Sequence, residues 1–179
     1  IILIDLIFQG KSSVAEKHRS FDEHAQDVFG LINTLIRKPV SVIGISYGSL
    51  VAQHLAVNYP SVIRKLILVS SFAHKTPLYK SIEISWKNAL KVGGYELLLD
   101  VMLPYVLGQS YFDNPFIPVE VLKNMRKDLQ PEPSSILKLM QATEERQDYL
   151  KELEKVSAPT LVIQGRNDLL FPVYYANAI

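Results

Sequence analysis

The sequence predicts an α/β fold: a mostly parallel sheet with helices on both faces, and a helical cap inserted between the third and fourth strands. Three observations predict it. Short, mainly apolar runs, 1–6, 40–45, 66–69 and 160–163, alternate with segments of helical periodicity. Strands that lack polar alternation are buried on both faces, the mark of a parallel sheet between helices. The stretch from 70 to 158 then holds no strong strand. A parallel crossover needs only about a dozen residues, so the excess reads as a helical insertion.

Each element has a local reason. Ile1 to Leu6 reads as a core strand that ends in a polar turn, Gln9-Gly10-Lys11-Ser12. Ser20 is an N-cap with Glu23 three residues on as its capping-box partner. The helix from Phe21 to about Arg37 carries Phe21, Ala25, Val28, Phe29, Ile32 and Leu35 at helical spacing, and Pro39 stops it. Val40 to Ile45 is the second strand. Tyr47 to Asn58 is a helix closed by Pro60, and Leu66 to Val69 is the third strand. Helices are expected over 82–91, 95–107, 119–128, 135–145 and 148–156, punctuated by Gly93-Gly94, Asn114-Pro115 and Pro131-Glu132-Pro133. Thr160 to Ile163 is the fourth strand. The core is thus expected at 1–75 with 157–179, and the cap at 76–156.

Composition narrows the function classes. The 179 residues carry 48% apolar and 21% charged residues, an ordinary globular balance. A net charge of +1 gives no reason to expect nucleic acid or an anionic membrane as partner. With no cysteine, disulfides, thiolate metal sites and cysteine nucleophiles are excluded. No run reaches the ~18–20 apolar residues of a membrane helix. No signal-peptide pattern opens the chain. A cytoplasmic, cofactor-free protein is the expectation. The chain opens inside an apolar run without methionine and closes inside a helical pattern, so it reads as an internal piece of a longer protein.

The residues that carry chemistry start at Gly44-Ile45-Ser46-Tyr47-Gly48. Gly-x-Ser-x-Gly between a strand and a helix is the pattern of a nucleophile elbow, where the chain turns sharply and exposes the serine hydroxyl. A side chain at Gly44 or at Gly48 is expected to collide where the backbone folds back. In a parallel sheet, ligands bind at the carboxyl ends of the strands. Asp5, Ser46, Phe72 and Asp168 fall at or just past such ends.

Three stretches carry a resemblance to the α/β-hydrolase family, in its single-domain form with a helical cap. They are Asp5 through Ser12, the elbow followed by Asn58-Tyr59-Pro60 to Ser70, and Ala158 through Asp168 with Pro172 beyond. The family often reads Asp-x-x-Gly-x-Gly-x-Ser in the first; Asp5, Gly10 and Ser12 fit, and Phe8 replaces the first glycine. The resemblance implies Ser46 as nucleophile and Asp168 as the triad acid, with Gly165 allowing the turn that aims it. It also implies the backbone N–H of Tyr47 as one oxyanion donor. The second donor would come from a strand loop preceding Ile1. The family order is Ser, acid, His, but His18, His24, His54 and His74 all precede Asp168. The base is therefore expected beyond Ile179. His18, His24 and His54 read as surface or helix-face residues, and His74 as a pocket-lining one. Asp5 reads as a turn cap.

Phe72, Trp86, Tyr95 and Met102, with Tyr105, are candidates for an acyl pocket under the cap; ordinary core is the competing reading for each. The implied activity is hydrolysis of a small-molecule ester, lactone or thioester through an acyl-enzyme on Ser46. Serine at the elbow sets the chain apart from the dehalogenase and epoxide-hydrolase branches, which use aspartate there. Acyl transfer or carbon–carbon bond hydrolysis on the same scaffold is the alternative, and a non-catalytic binding protein is the rival from another class. Without its base the 179-residue chain alone is expected to turn over p-nitrophenyl acetate negligibly, and to be poorly soluble through an exposed apolar edge. Oligomeric state is not assigned.

Overall fold

The computed structural model describes residues 1–127 and 132–179. They form two compact units, 1–18 with 76–144 and 19–75 with 145–179. The second unit holds the sheet. Its elements are α1 (Phe21–Leu35), β1 (Val40–Ile45), α2 (Tyr47–Asn58), a 3-10 turn at Pro60–Val62 and β2 (Ile63–Val69).

The insertion then supplies α3 (Pro77–Val106), α4 (Gln109–Asp113), α5 (Val119–Lys127) and α6 (Pro133–Glu145). The chain returns through α7 (Leu150–Leu153), β3 (Thr160–Ile163) and α8 (Val173–Ala178).

The three strands lie in the order β1-β2-β3, all parallel. Their carboxyl ends are level: Ile45 pairs with Val69, and Val69 with Ile163. One face is covered. Leu66 and Leu68 of β2 are fully buried, and α2 packs on β1 and β2 through a side that buries Leu50, Val51, Ala52, Leu55 and Ala56. Helix α1 packs on α2 and buries Phe21, Ala25, Val28 and Ile32. Its start is the expected capping box: Glu23 N donates to Ser20 Oγ at 3.2 Å and Ser20 N to Glu23 Oε2 at 2.7 Å.

The opposite face carries Ile43, Ile45, Leu161 and Ile163, which are 63%, 62%, 53% and 46% exposed. Residues in register point to one side, so these side chains form one continuous apolar surface with Ile67 and Val69. The second helical layer expected from unbroken apolar strands does not cover that surface among the described residues.

The expected first strand is not one. Residues 1–6 form no ladder, and Ile1, Ile2, Leu3 and Ile4 are exposed. A strand is made by its hydrogen-bonded neighbour, and an apolar run alone does not supply one. The insertion therefore follows the second of three strands here. The turn after the run is as read: Lys11 N donates to Asp5 Oδ2 at 3.0 Å and Ser12 Oγ to Asp5 O at 2.6 Å. Gly10 sits at φ +53, where a Cβ would lie 2.3 Å from the Asp5 carboxylate. Phe8, in the place of the family's first glycine, is buried at φ 75. That left-handed conformation explains why glycine suits the position.

In the same unit, α3 is two helices joined across a kink at Gly94 (φ 66, ψ −160), at the glycine pair that separates the two expected helices. Helix α5 matches the expectation up to Lys127; its expected last residue, Asp128, and Pro131 lie outside the described residues. The expected helix over 148–156 is only the single turn of α7. No helix among the described residues is long and apolar enough to cross a membrane.

Candidate active site

Strand β1 delivers Ser46 at the sheet's carboxyl edge. Ser46 adopts φ 50, ψ −120, a conformation that costs a non-glycine residue about 1–3 kcal/mol. The surrounding hydrogen bonds impose it. Ser46 N donates to Val69 O at 2.9 Å, extending the β1–β2 ladder by one residue. Ser46 O accepts from Ser49 N at 2.8 Å and from Ser49 Oγ at 2.5 Å, starting α2. Between these two anchors the chain reverses and leaves Ser46 exposed to solvent.

The two elbow glycines differ. A Cβ on Gly44 would lie 2.6 Å from Gly48 O and from Ser49 Cα, so only glycine fits there. A Cβ on Gly48 meets nothing within 4 Å among the described residues. The expected collision at Gly48 is therefore not found: the space its Cβ would occupy is open, although its carbonyl lies against Gly44. Tyr47 is the first helical residue, and the opening N–H groups of a helix have no intrahelical partner. Its side chain turns inward, with its ring 4.9 Å from Phe21 and 5.8 Å from His24. Burial pushes the phenol well above its ordinary pKa, and the hydroxyl has no partner among the described residues.

Asp168 lies five residues past the end of β3 (Ile163). Asp168 Oδ1 accepts from Leu170 N at 2.9 Å and Phe171 N at 2.8 Å, and Oδ2 accepts from Gln164 Nε2 at 2.7 Å. Asp168 N closes the turn onto Gly165 O at 3.2 Å. A Cβ at Gly165 would touch Asp168 Cβ at 3.6 Å, an ordinary contact. The turn does not depend on glycine there, contrary to expectation; the hydrogen bonds of Asp168 hold it. β2 separates the ends of β1 and β3, and Ser70 N donates to Ile163 O at 3.0 Å to finish that edge.

Phe72 is buried in the same unit, stacked on Phe171 at 4.6 Å with Tyr175 edge-on at 6.3 Å. It is core. Trp86, Tyr95 and Met102 are half-buried in the other unit, where the Trp86 ring lies 6.2 Å from Tyr105. The described residues hold no group of three His, Asp or Glu arranged for a metal ion.

Two of the histidines expected at the surface are buried. His24, on the buried face of α1, lies edge-on to Tyr47, and burial pushes its pKa down. His54 belongs to a polar network that sequence reasoning missed. Arg146 Nε donates to His54 Nε2 at 3.2 Å, so that nitrogen is an acceptor and the ring proton sits on Nδ1, 2.8 Å from Asp22 Oδ1.

Asp22 Oδ1 also accepts from Asn58 Nδ2 at 2.7 Å. Arg146 Nη2 donates to Gln53 Oε1 at 2.6 Å and Nη1 to Ala73 O at 3.3 Å, while Gln53 Nε2 donates to Ser71 Oγ at 2.8 Å and Phe72 O at 3.1 Å. Tyr149 stacks on His54 at 3.9 Å.

With both nitrogens bonded, His54 has no free lone pair to serve as a base. His74 is half-buried against Tyr175 at 5.1 Å. The missed signal was Gln53-His54 in the middle of the otherwise apolar run Leu50 to Val57: buried polar groups need partners.

Comparison with known proteins adds the family. The family model described as "Serine aminopeptidase, S33" matches residues 2–176. The 2-(acetamidomethylene)succinate hydrolase of Mesorhizobium japonicum is 24% identical, over 94% of this chain and 62% of its own length. An α/β-hydrolase enzyme from a Medee basin deep-sea metagenome library superposes with a TM-score of 0.86 at 24% identity, over 97% of this chain and 64% of that one. A thermophilic esterase from Thermogutta terrifontis superposes at 0.83 with 27% identity, over 97% and 64%. The chain thus spans under two thirds of the length of these relatives.

Proposed function

We propose, for a chain that belongs to the serine aminopeptidase family of α/β-hydrolases, that the whole protein is a serine hydrolase acting on a small ester, lactone or thioester. One observation carries the reading: Ser46 stands exposed and strained at the carboxyl edge of the sheet, held at φ 50 by its bonds to Val69 and Ser49. Conformational strain at an exposed nucleophile-type residue is characteristic of functional sites. The esterase among the structural relatives is consistent with an ester substrate.

In this reading the Ser46 hydroxyl attacks the substrate carbonyl and passes its proton to a histidine base. The backbone N–H of Tyr47 stabilises the developing oxyanion. The leaving alcohol or thiol takes the proton, and water then cleaves the acyl-enzyme by the same steps in reverse order. Asp168 orients the histidine. Two strand spacings separate the ends of β1 and β3, about 10 Å. The base is assigned, by the order Ser, acid, His of the fold, to a histidine that follows Asp168: His18 and His74 precede Asp168, His54 is fully bonded and His24 is sealed in the core. The helical segment after β2 is assigned as the cap, and its Trp86, Tyr95 and Met102 as the residues that would meet an apolar substrate group.

Steady-state hydrolysis of p-nitrophenyl acetate by the full-length protein tests this. Ser46→Ala is expected to reduce kcat by at least about 10³-fold. Turnover that survives Ser46→Ala would remove the assignment.

A further inference from the structure

Gln164, the first residue past β3, uses both amide hydrogens. Nε2 donates to Asp168 Oδ2 at 2.7 Å and to Phe171 O at 2.6 Å. Turning the amide over would set its oxygen against two acceptors, so the orientation follows from the partners. The other end, Oε1, is buried with no partner among the described residues. Leaving an acceptor unpaired costs stability. A side chain selected for packing alone would not carry it. The glutamine is therefore placed for what its NH₂ group holds.

What it holds is the rotation of a carboxylate. Leu170 N and Phe171 N both bond to Oδ1. A carboxylate fixed at one oxygen still pivots, because its terminal torsion has a broad minimum. The Gln164 bond to Oδ2 removes that freedom and leaves Oδ2 room for one further donor. Among the described residues it is the only side chain hydrogen-bonded to Asp168.

We infer that Gln164 is the positioning residue for Asp168: its NH₂ group sets the carboxylate rotation in which Oδ2 receives the N–H of the catalytic base. The inference rests on the assignment of Asp168 as the triad acid.

The test compares Gln164→Met, Gln164→Glu and Asp168→Asn in the full-length protein, with p-nitrophenyl acetate as the probe and thermal unfolding to verify folding. Gln164→Met is expected to lower kcat about 10-fold with KM unchanged, the pattern of a lost transition-state interaction. Gln164→Glu sets a second carboxylate beside Asp168. It is expected to lower kcat further, by about 10²-fold, and to move the acid limb of the kcat/KM profile to higher pH, because added negative charge favours the protonated base.

A kcat for Gln164→Met within twofold of wild type, with Asp168→Asn inactive, overturns the inference and leaves the acid assignment standing. Loss of activity in both Gln164 variants with the acid limb unmoved reveals a structural role and overturns it too. An Asp168→Asn protein as active as wild type overturns the acid assignment itself, and the inference with it.

Discussion

The elbow and the acid turn lie at the same edge of one sheet and are held in opposite ways. Ser46 is fixed by backbone: a strained φ, a ladder bond to Val69, the start of α2, and a glycine at 44 where a Cβ would strike Gly48 O and Ser49 Cα. Asp168 is fixed through its own carboxylate, which takes two backbone N–H groups and one side-chain amide. A serine proposed as nucleophile must stand exposed and cannot be held by its own hydroxyl, so the main chain does the holding. An acid can be held by bonds to its carboxylate, provided one direction stays open. The elbow should therefore tolerate side-chain changes everywhere except where the chain touches itself, while the acid turn should be sensitive to the side chain at 164.

The largest expected effect outside Ser46 itself lies behind the elbow. Helix α2 is anchored by Gln53 and His54 to Arg146, which is buried. Arg146→Ala leaves Gln53 Oε1 and His54 Nε2 short of a donor, while the Ala73 carbonyl keeps Tyr149 N, and should cost about 3 kcal/mol of unfolding free energy by urea titration. A loss under about 1 kcal/mol would mean that α2 is held by packing alone. Gly44→Ala comes next. Its Cβ meets backbone that has no room to move, and a destabilisation of about 2–3 kcal/mol is expected from overpacking.

A smaller effect should appear with pH. Burial pushes His54 below its ordinary pKa and the charge of Arg146 adds to that, while the bond to Asp22 opposes it; burial acts on His24 in the same direction. A folded-state pKa below the unfolded one means the unfolded chain binds more protons. Stability is then complete above the unfolded value, about 6.5, and is lost as the pH falls through the folded values. The urea midpoint should be flat from pH 8 to 7 and decline below 6.5, and the decline should be smaller in His54→Gln. The smallest effect is expected at the other elbow glycine. With open space around it, Gly48→Ala should change stability by less than about 1 kcal/mol. Equal costs at 44 and 48 would contradict the asymmetry of the elbow.

The sequence made the elbow legible because its constraint is local: a strand, a helix and the glycine where they touch all lie within a few residues. The capping box at Ser20 and the break at Gly94 were legible for the same reason. What was missed depends on partners far apart in the chain. Nothing near His54 signals Arg146, so that buried histidine read as a helix-face residue. The run at 1–6 shows the same limit from the other side. Its composition suits a strand, but a ladder needs a neighbour that composition does not supply. At Asp168 the turn after β3 was legible, but the bond from Gln164 to its carboxylate was not, since the spacing alone does not reveal an amide turned back across the turn.

Covalent labelling of the full-length protein with a fluorophosphonate, read by peptide mass spectrometry, tests the central claim most directly. The account predicts a single adduct on Ser46, absent from Ser46→Ala and formed far more slowly in Asp168→Asn. An adduct on a different serine, or ester turnover undiminished in a protein that Ser46 does not let the reagent label, would contradict it.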